Sequence, residues 1–146
     1  MILVDSCVLI DVLENDPKWA DWSQQRLDAA SLNYQLIINA VIYAELSVGF
    51  RRIEDCETML AEAKIVLQDI PREALFLAGK AFQRYKARGG TRTSTLPDFF
   101  IGAHAAVLGI PLLTRDVRRY ADYFQNLTLL SPHAGGADSI SNSIKQ

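Results

Sequence analysis

Apolar runs and amphipathic stretches alternate along this chain, and no two apolar runs are joined by a clear two-residue hairpin turn. Strands that cannot return through a hairpin return through a crossover, so neighbouring strands run parallel and helices cover the sheet. Five runs read as buried strands: "MILVD", "YQLIIN", "KIVLQDI", "IPLLT" and "LTLLS". Between them the spacing turns helical. Val8, Leu9, Val12 and Leu13 form one such stripe, and Asp16-Pro17 opens a second helix that reaches about Ala30. Asn39 is placed to cap "AVIYAELSVGF", and Ile53, Cys56, Leu60 and Ala63 mark another amphipathic helix. A long helix follows Pro71, with Leu75, Ala78, Phe82 and Tyr85 along one face and Gly89-Gly90 at its end. "LPDFFIGAHAAVL" is a further helix, closed by Gly109, and a short one follows Asp116. The predicted fold class is α/β, a three-layer α/β/α sandwich around a mainly parallel sheet of about five strands.

At 146 residues the chain reads as one domain over residues 1–132, long enough for a substantial core. Residues 133–146, "HAGGADSISNSIKQ", are small, polar and non-periodic, and read as a mobile tail. No apolar run reaches the ~18 residues of a membrane span. The N-terminus has acids inside its apolar stretch and no basic segment before it, which argues against a secretory signal. Two cysteines, Cys7 and Cys56, make neither a metal motif nor a disulfide framework, so a reducing cytoplasm is the expected compartment. A net charge of −2 argues against binding nucleic acid through bulk positive charge. Local clusters remain, at Arg51 and Arg52, at Arg84, Lys86, Arg88 and Arg92, and at Arg115, Arg118 and Arg119.

The acids fall in a telling place for such a pattern. In a parallel sheet all strands end on one edge, the helices returning from them begin there, and ligands gather in the crevice outside it. Asp5 ends the first strand, Asp116 follows the fourth, and Asp98 stands in the first turn of its helix. Glu45 lies about a turn and a half into the helix after the second strand. Some of these have plain structural explanations: Asp98 completes a capping box with Thr95, and Asp5 and Asp116 suit turns or helix caps. Glu45 resists one. Its helical neighbours Val41, Ile42, Val48 and Gly49 offer no basic partner, so it lies on an apolar stripe without a counter-charge.

Two carboxylates ~4 Å apart repel by roughly 4 kcal/mol at an effective dielectric near 20. Several such pairs require a cation or a bound proton, and for a cation an all-oxygen donor set selects Mg²⁺ or Mn²⁺ over softer ions. On this reading Asp98 and Asp116 share a metal rather than a protein cation. His104, two turns into its helix, reads as a core residue. Asp11 reads as surface-facing or as a support behind the ligands.

These residues carry a resemblance. "LVDSCVLID", "NAVIYAEL", "LPDFFIGAHA" and "LLTRD", in this order and spacing within residues 1–132, resemble the PIN-domain ribonucleases, and among them the VapC-type toxins of bacterial toxin–antitoxin pairs. The resemblance implies a Mg²⁺- or Mn²⁺-dependent endoribonuclease in which Asp5, Glu45, Asp98 and Asp116 are the catalytic, metal-binding acids. Ser6 and Thr114 match supporting hydroxyl positions. It implies hydrolysis of RNA phosphodiesters by metal-activated water, leaving a 5′-phosphate and a 3′-hydroxyl. It also implies a homodimer and a cognate VapB-like antitoxin seated in a groove beside the site, with walls expected from the helices at 16–30 and 53–63. RNA-backbone contacts are expected from Arg92, Arg115, Arg118 and Arg119; solvated surface charge explains any one of them equally well. Cys7 stands where the family often has asparagine. Val117-Arg118-Arg119 stands where the family commonly has further polar residues, so no fifth ligand is expected.

Three alternatives belong to other classes. A metal-dependent phosphatase with an aspartyl nucleophile needs D-x-D after the first strand, where this chain reads Asp5-Ser6-Cys7. A signalling receiver domain needs an acceptor aspartate on the third strand, for which Asp69 is available, and a lysine after the fifth, where none stands before Lys145. The third is a PIN-like module that binds RNA or protein without cutting, against which the full acid set counts.

Overall fold

The computed structural model describes residues 1–91 and 96–132. Its elements follow the predicted alternation: β1 (Ile2–Val4), α1 (Ser6–Leu13), α2 (Ala20–Ser31), β2 (Leu36–Ile38), α3 (Ala40–Ser47), α4 (Ile53–Glu62), β3 (Ile65–Leu67), α5 (Arg72–Ala87), α6 (Leu96–Leu108), β4 (Leu112–Leu113) and β5 (Leu129–Leu130). A single 3₁₀ turn, Val117–Arg119, lies between β4 and β5. Arg92 and the tail expected from residue 133 fall outside the described residues.

The five strands form one sheet in the order β3-β2-β1-β4-β5, and every pair is parallel. The chain moves outward from β1 through β2 to β3, then crosses back to β4 on the other side of β1. Crossovers of one hand that reverse direction in this way cover both faces with helices. The reversal also makes the carboxyl ends of β1 and β4 a switch point. Leu3 pairs with Ile37 on one side and Leu112 on the other, and Val4 pairs with Leu113. Asp5 and Thr114 are the next residues of those two strands, so the register sets them side by side.

β1, β2 and β4 are buried along their whole length, whereas the edge strand β3 buries Ile65 and exposes Val66 and Leu67. A main core packs Ile37, Ile42, Leu46, Ile101 and Leu113 around the sheet. A second joins Ala74, Ala78 and Ala81 of α5 to Phe99 and Ala103 of α6 and to Phe124. α6 is buried on nearly every side, from Phe99 to Ala105. At Gly102 a Cβ would stand 2.6 Å from the Phe124 ring and 3.1 Å from that of Tyr120. The bare backbone there lets both rings close on the helix.

Two boundaries and one helix face differ from the sequence reading. α2 begins at Ala20 rather than Pro17, because the Asp16 carboxylate first accepts from the backbone N–H groups of Lys18 and Trp19, at 2.9 Å each, and forms a turn. α3 stops at Ser47, where Val48 (88% exposed) and Gly49 turn toward solvent. Leu75, expected on the inner face of α5, is 44% exposed. The inner face is instead a stripe of alanines, whose small side chains let α5 approach α6 closely.

Candidate active site

Asp5 ends β1, and its backbone N–H donates to the Leu113 carbonyl at 2.9 Å, which ties it to β4. Its side chain is fully buried. Oδ2 accepts from the Thr114 hydroxyl and from the Tyr120 phenol, each at 2.8 Å. Oδ1 is buried too, and has no hydrogen-bond partner among the described residues. Such an acceptor is costly to leave unmet, by about 1–3 kcal/mol. Burial and the Asp5 charge push the Tyr120 phenol well above its ordinary value, which keeps it a donor. Nothing chemical in the sequence marks Tyr120; the one hint is Gly102 in an otherwise oily helix, where its ring packs. Tyr120→Phe is expected to cost about 2 kcal/mol of stability, the range for a buried hydrogen bond to a charged group. Urea denaturation with an unchanged midpoint would show that this bond does not hold Asp5.

Ser6 opens α1 and donates to Glu45 Oε1 at 3.0 Å, coupling α1 to α3. Burial pushes the Glu45 carboxyl up; the Ser6 bond and Arg119 oppose this, and Asp5 adds to it. Asp98, in the first turn of α6, is pushed up to about 6, first by burial and then by Asp5, Glu45 and Asp116, with Arg119 opposing. The expected acids therefore share one electrostatic neighbourhood. Asp116 is fixed through its backbone N–H, which donates to the Thr114 hydroxyl at 3.1 Å. Glu45, Asp98, Asp116, Arg118 and Arg119 line an open cleft of about 680 Å³, and Asp122, which the sequence did not single out, lines it as well.

The raised Asp98 value has a signed consequence. Its ordinary value is 3.8 and its folded value about 6, so between them the folded protein holds a proton that the unfolded chain has released. This contribution to stability is full below the lower value and is lost as pH rises through the upper one. The stability of the ion-free protein, measured relative to Asp98→Asn, is expected to fall from about pH 4 to about pH 7. A difference that rises over that range would contradict the assignment.

Two arginines stand elsewhere than expected. Asp98 and Asp116 do have a protein cation: Arg119 Nε lies 2.9 Å from Asp116 Oδ2, and its Nη1 lies 3.6 Å from Asp98 Oδ1. Among the described residues, no three His, Cys, Asp or Glu side chains converge closely enough to enclose an ion as they stand. Arg115 does not face the cleft. Its Nε and Nη2 fork onto Asp11 at 2.8 and 3.1 Å, and its guanidinium lies over the Trp19 ring. Asp11 is accordingly buried, not surface-facing, and also accepts from the Ser23 hydroxyl at 3.0 Å. A bidentate fork on a buried carboxylate satisfies both partners and leaves no free charge for a phosphate. Arg118 is exposed on the cleft.

Other side chains fall into structural places. His104 is buried, with Nδ1 3.1 Å from the Asn39 side-chain amide, whose oxygen caps α3 by accepting from the Ile42 N–H. The Cys7 thiol is pushed up to about 12 by burial and by Asp5, so it stays protonated and unreactive. Asp69 follows the edge strand β3, which β2 separates from Asp5; this is the wrong place for a receiver acceptor. The groove that reaches the acids has its walls in α1 and α3, with Ser6, Cys7, Ile10, Glu45, Leu46 and Phe50 along about 670 Å³. α2 and α4, the expected walls, line a separate crevice of about 300 Å³ around Leu27 and Met59.

The donor set fits a hard divalent ion: all its atoms are oxygens, and Asp5 Oδ1 is a buried acceptor unmet among the described residues. A parallel sheet with carboxylates gathered at its switch point defines an α/β protein with an acid-lined cleft. Within that class, the chain belongs to the PIN domain family, whose pattern matches residues 2–123. PIN domains are in general nucleases. A comparison with curated proteins found no match. Among solved structures the chain is similar to VapBC2 from Rickettsia felis bound to a DNA fragment from their promoter, with 19% identity over 90% of this chain and 98% of that one, and a TM-score of 0.68. It is also similar to a toxin–antitoxin complex from Klebsiella pneumoniae, with 24% identity over 83% of this chain and 91% of that one, and a TM-score of 0.62. FitAcB from Neisseria gonorrhoeae shares 18% identity over 88% of this chain and 96% of that one, with a TM-score of 0.61. At these identities the likeness is one of fold.

Proposed function

We propose that this chain is a Mg²⁺- or Mn²⁺-dependent endoribonuclease, the toxin of a VapBC-type pair. The observation that carries the reading is Asp5 Oδ1, a carboxylate oxygen without a hydrogen-bond partner among the described residues, buried at the switch point and within the field of Glu45 and Asp98. Asp5, Glu45, Asp98 and Asp116 would hold the ion. Once bound, such an ion lowers the pKa of water and offsets charge on phosphate oxygens.

The rest falls to the chain's own residues. Thr114 and Tyr120 fix Asp5 from one side, Ser6 orients Glu45, and the Thr114 hydroxyl also fixes the Asp116 backbone. The cleft is open and admits a polymer, with Arg118 exposed along it to meet the RNA backbone. His104 is buried against Asn39 and the Cys7 thiol is held protonated, so neither serves as a general base. With neither available as a base, activation of the attacking water is the chemistry a bound ion would supply.

The antitoxin is proposed on two grounds. The similar structures are toxin–antitoxin complexes, and the groove between α1 and α3 leads from exposed Val48 to Glu45 and Arg119, which suits an apolar segment ending in a polar contact with the acids. A homodimer and a cytoplasmic location belong to the same reading. Among the described residues, no helix is long and apolar enough to cross a membrane.

The test is incubation of the purified, partner-free chain with total cellular RNA in Mn²⁺, in Mg²⁺ and in chelator. Discrete cuts are expected only with an ion. Equal cutting in chelator would contradict the reading, and no cutting despite measured ion binding would favour a module that binds without turnover.

A further inference from the structure

Two arginine–aspartate pairs in this chain differ in a way that matters. Arg115 grips Asp11 with two hydrogen bonds, and the Asp11 side chain is 2% exposed; this pair is closed. Arg119 makes one short contact, from Nε to Asp116 at 2.9 Å, and approaches Asp98 only to 3.6 Å, too far for a hydrogen bond. Its partners are graded in depth: Asp116 is 33% exposed and Asp98 17%, while Asp5 is fully buried. With the guanidinium in place Asp5 Oδ1 still has no partner among the described residues. The guanidinium thus meets the rim of the crevice and leaves its floor unmet.

Charge points the same way. Asp5, Glu45, Asp98 and Asp116 carry a formal −4 when ionised, and Arg119 returns +1, leaving −3. Arg119 stands on a three-residue 3₁₀ turn with its side chain 41% exposed to the open cleft, so its guanidinium can leave without unfolding an element.

We propose that Arg119 is an exchangeable cation of the crevice: in the ion-free protein it pairs with Asp116 and partly offsets the charge of Asp98, and it yields their oxygens when a divalent ion binds. The inference rests on the metal-centre reading above. It makes Arg119 a built-in competitor that lowers ion affinity. Once displaced, the guanidinium stands beside Arg118 at the cleft, facing the substrate backbone.

The test is Mn²⁺ binding by titration calorimetry at fixed ionic strength, on the wild type, Arg119→Gln and Arg119→Lys, with circular dichroism to check folding. Arg119→Gln is expected to bind at least about tenfold more tightly, since the competing charge-assisted contact is gone. Arg119→Lys keeps the charge, and its affinity is expected to stay within about threefold of wild type. The ion-induced rise in Tm should also be larger for Arg119→Gln. Unchanged or weaker binding by Arg119→Gln, with the wild type binding, overturns the exchange and leaves the metal centre standing. Absence of binding by both overturns the metal-centre reading and this inference with it.

Discussion

Asp98→Asn is expected to slow RNA cleavage by at least about a thousandfold, the scale of losing a charged group that serves the transition state. The substitution removes a charge at nearly constant shape. The fold does not depend on that charge: among the described residues the ion pair of Asp98 is the 3.6 Å approach of Arg119, and burial already works against its ionised form. A fall in rate with an unchanged circular dichroism spectrum would therefore report chemistry and not unfolding. Single-turnover cleavage at saturating Mn²⁺ is the measurement. A variant that cuts at the wild-type rate would remove Asp98 from the site.

Arg115→Ala should act on the other side of that division. It strips the fork from Asp11, whose side chain is 2% exposed, and among the described residues leaves that carboxylate with the Ser23 hydroxyl. Breaking a buried pair from one side costs about 3–5 kcal/mol, and the Ser23 bond places the expected loss near the lower end. For a domain of this size that is a fall in Tm of roughly 10 °C. Had Arg115 been a solvated surface charge, its loss would stay within about 0.5 kcal/mol. Denaturation separates the two outcomes.

The same contrast shows what local pattern can and cannot carry. The strands and helices were legible because hydrophobic periodicity is a local property, and the parallel sheet followed from the lack of hairpins. The order β3-β2-β1-β4-β5 was not, since pairing between Val4 and Leu113 spans most of the chain. Asp5 and Asp116 could be placed at one edge from strand ends, and Asp98 and Glu45 from their positions early in helices that begin there. The fork between Asp11 and Arg115 joins residues 104 positions apart, and nothing near either one announces it. Arg119 is only three residues from Asp116, yet their contact needs the 3₁₀ turn that carries the side chain back over the carboxylate. Leu75 misled because a close helix–helix approach favours alanine over a larger apolar residue, a choice that the partner helix makes.

The most direct test of an acid-held ion acting on RNA is the chemistry of the cut ends. Once a cut is mapped, an oligonucleotide carrying a single 2′-deoxy sugar at that position should be incubated with Mn²⁺ and the chain. The account predicts that it is still cut, leaving a 5′-phosphate and a 3′-hydroxyl, and that cutting stops in chelator. Loss of cutting with the deoxy sugar, together with 2′,3′-cyclic phosphate ends on ordinary RNA, would contradict it.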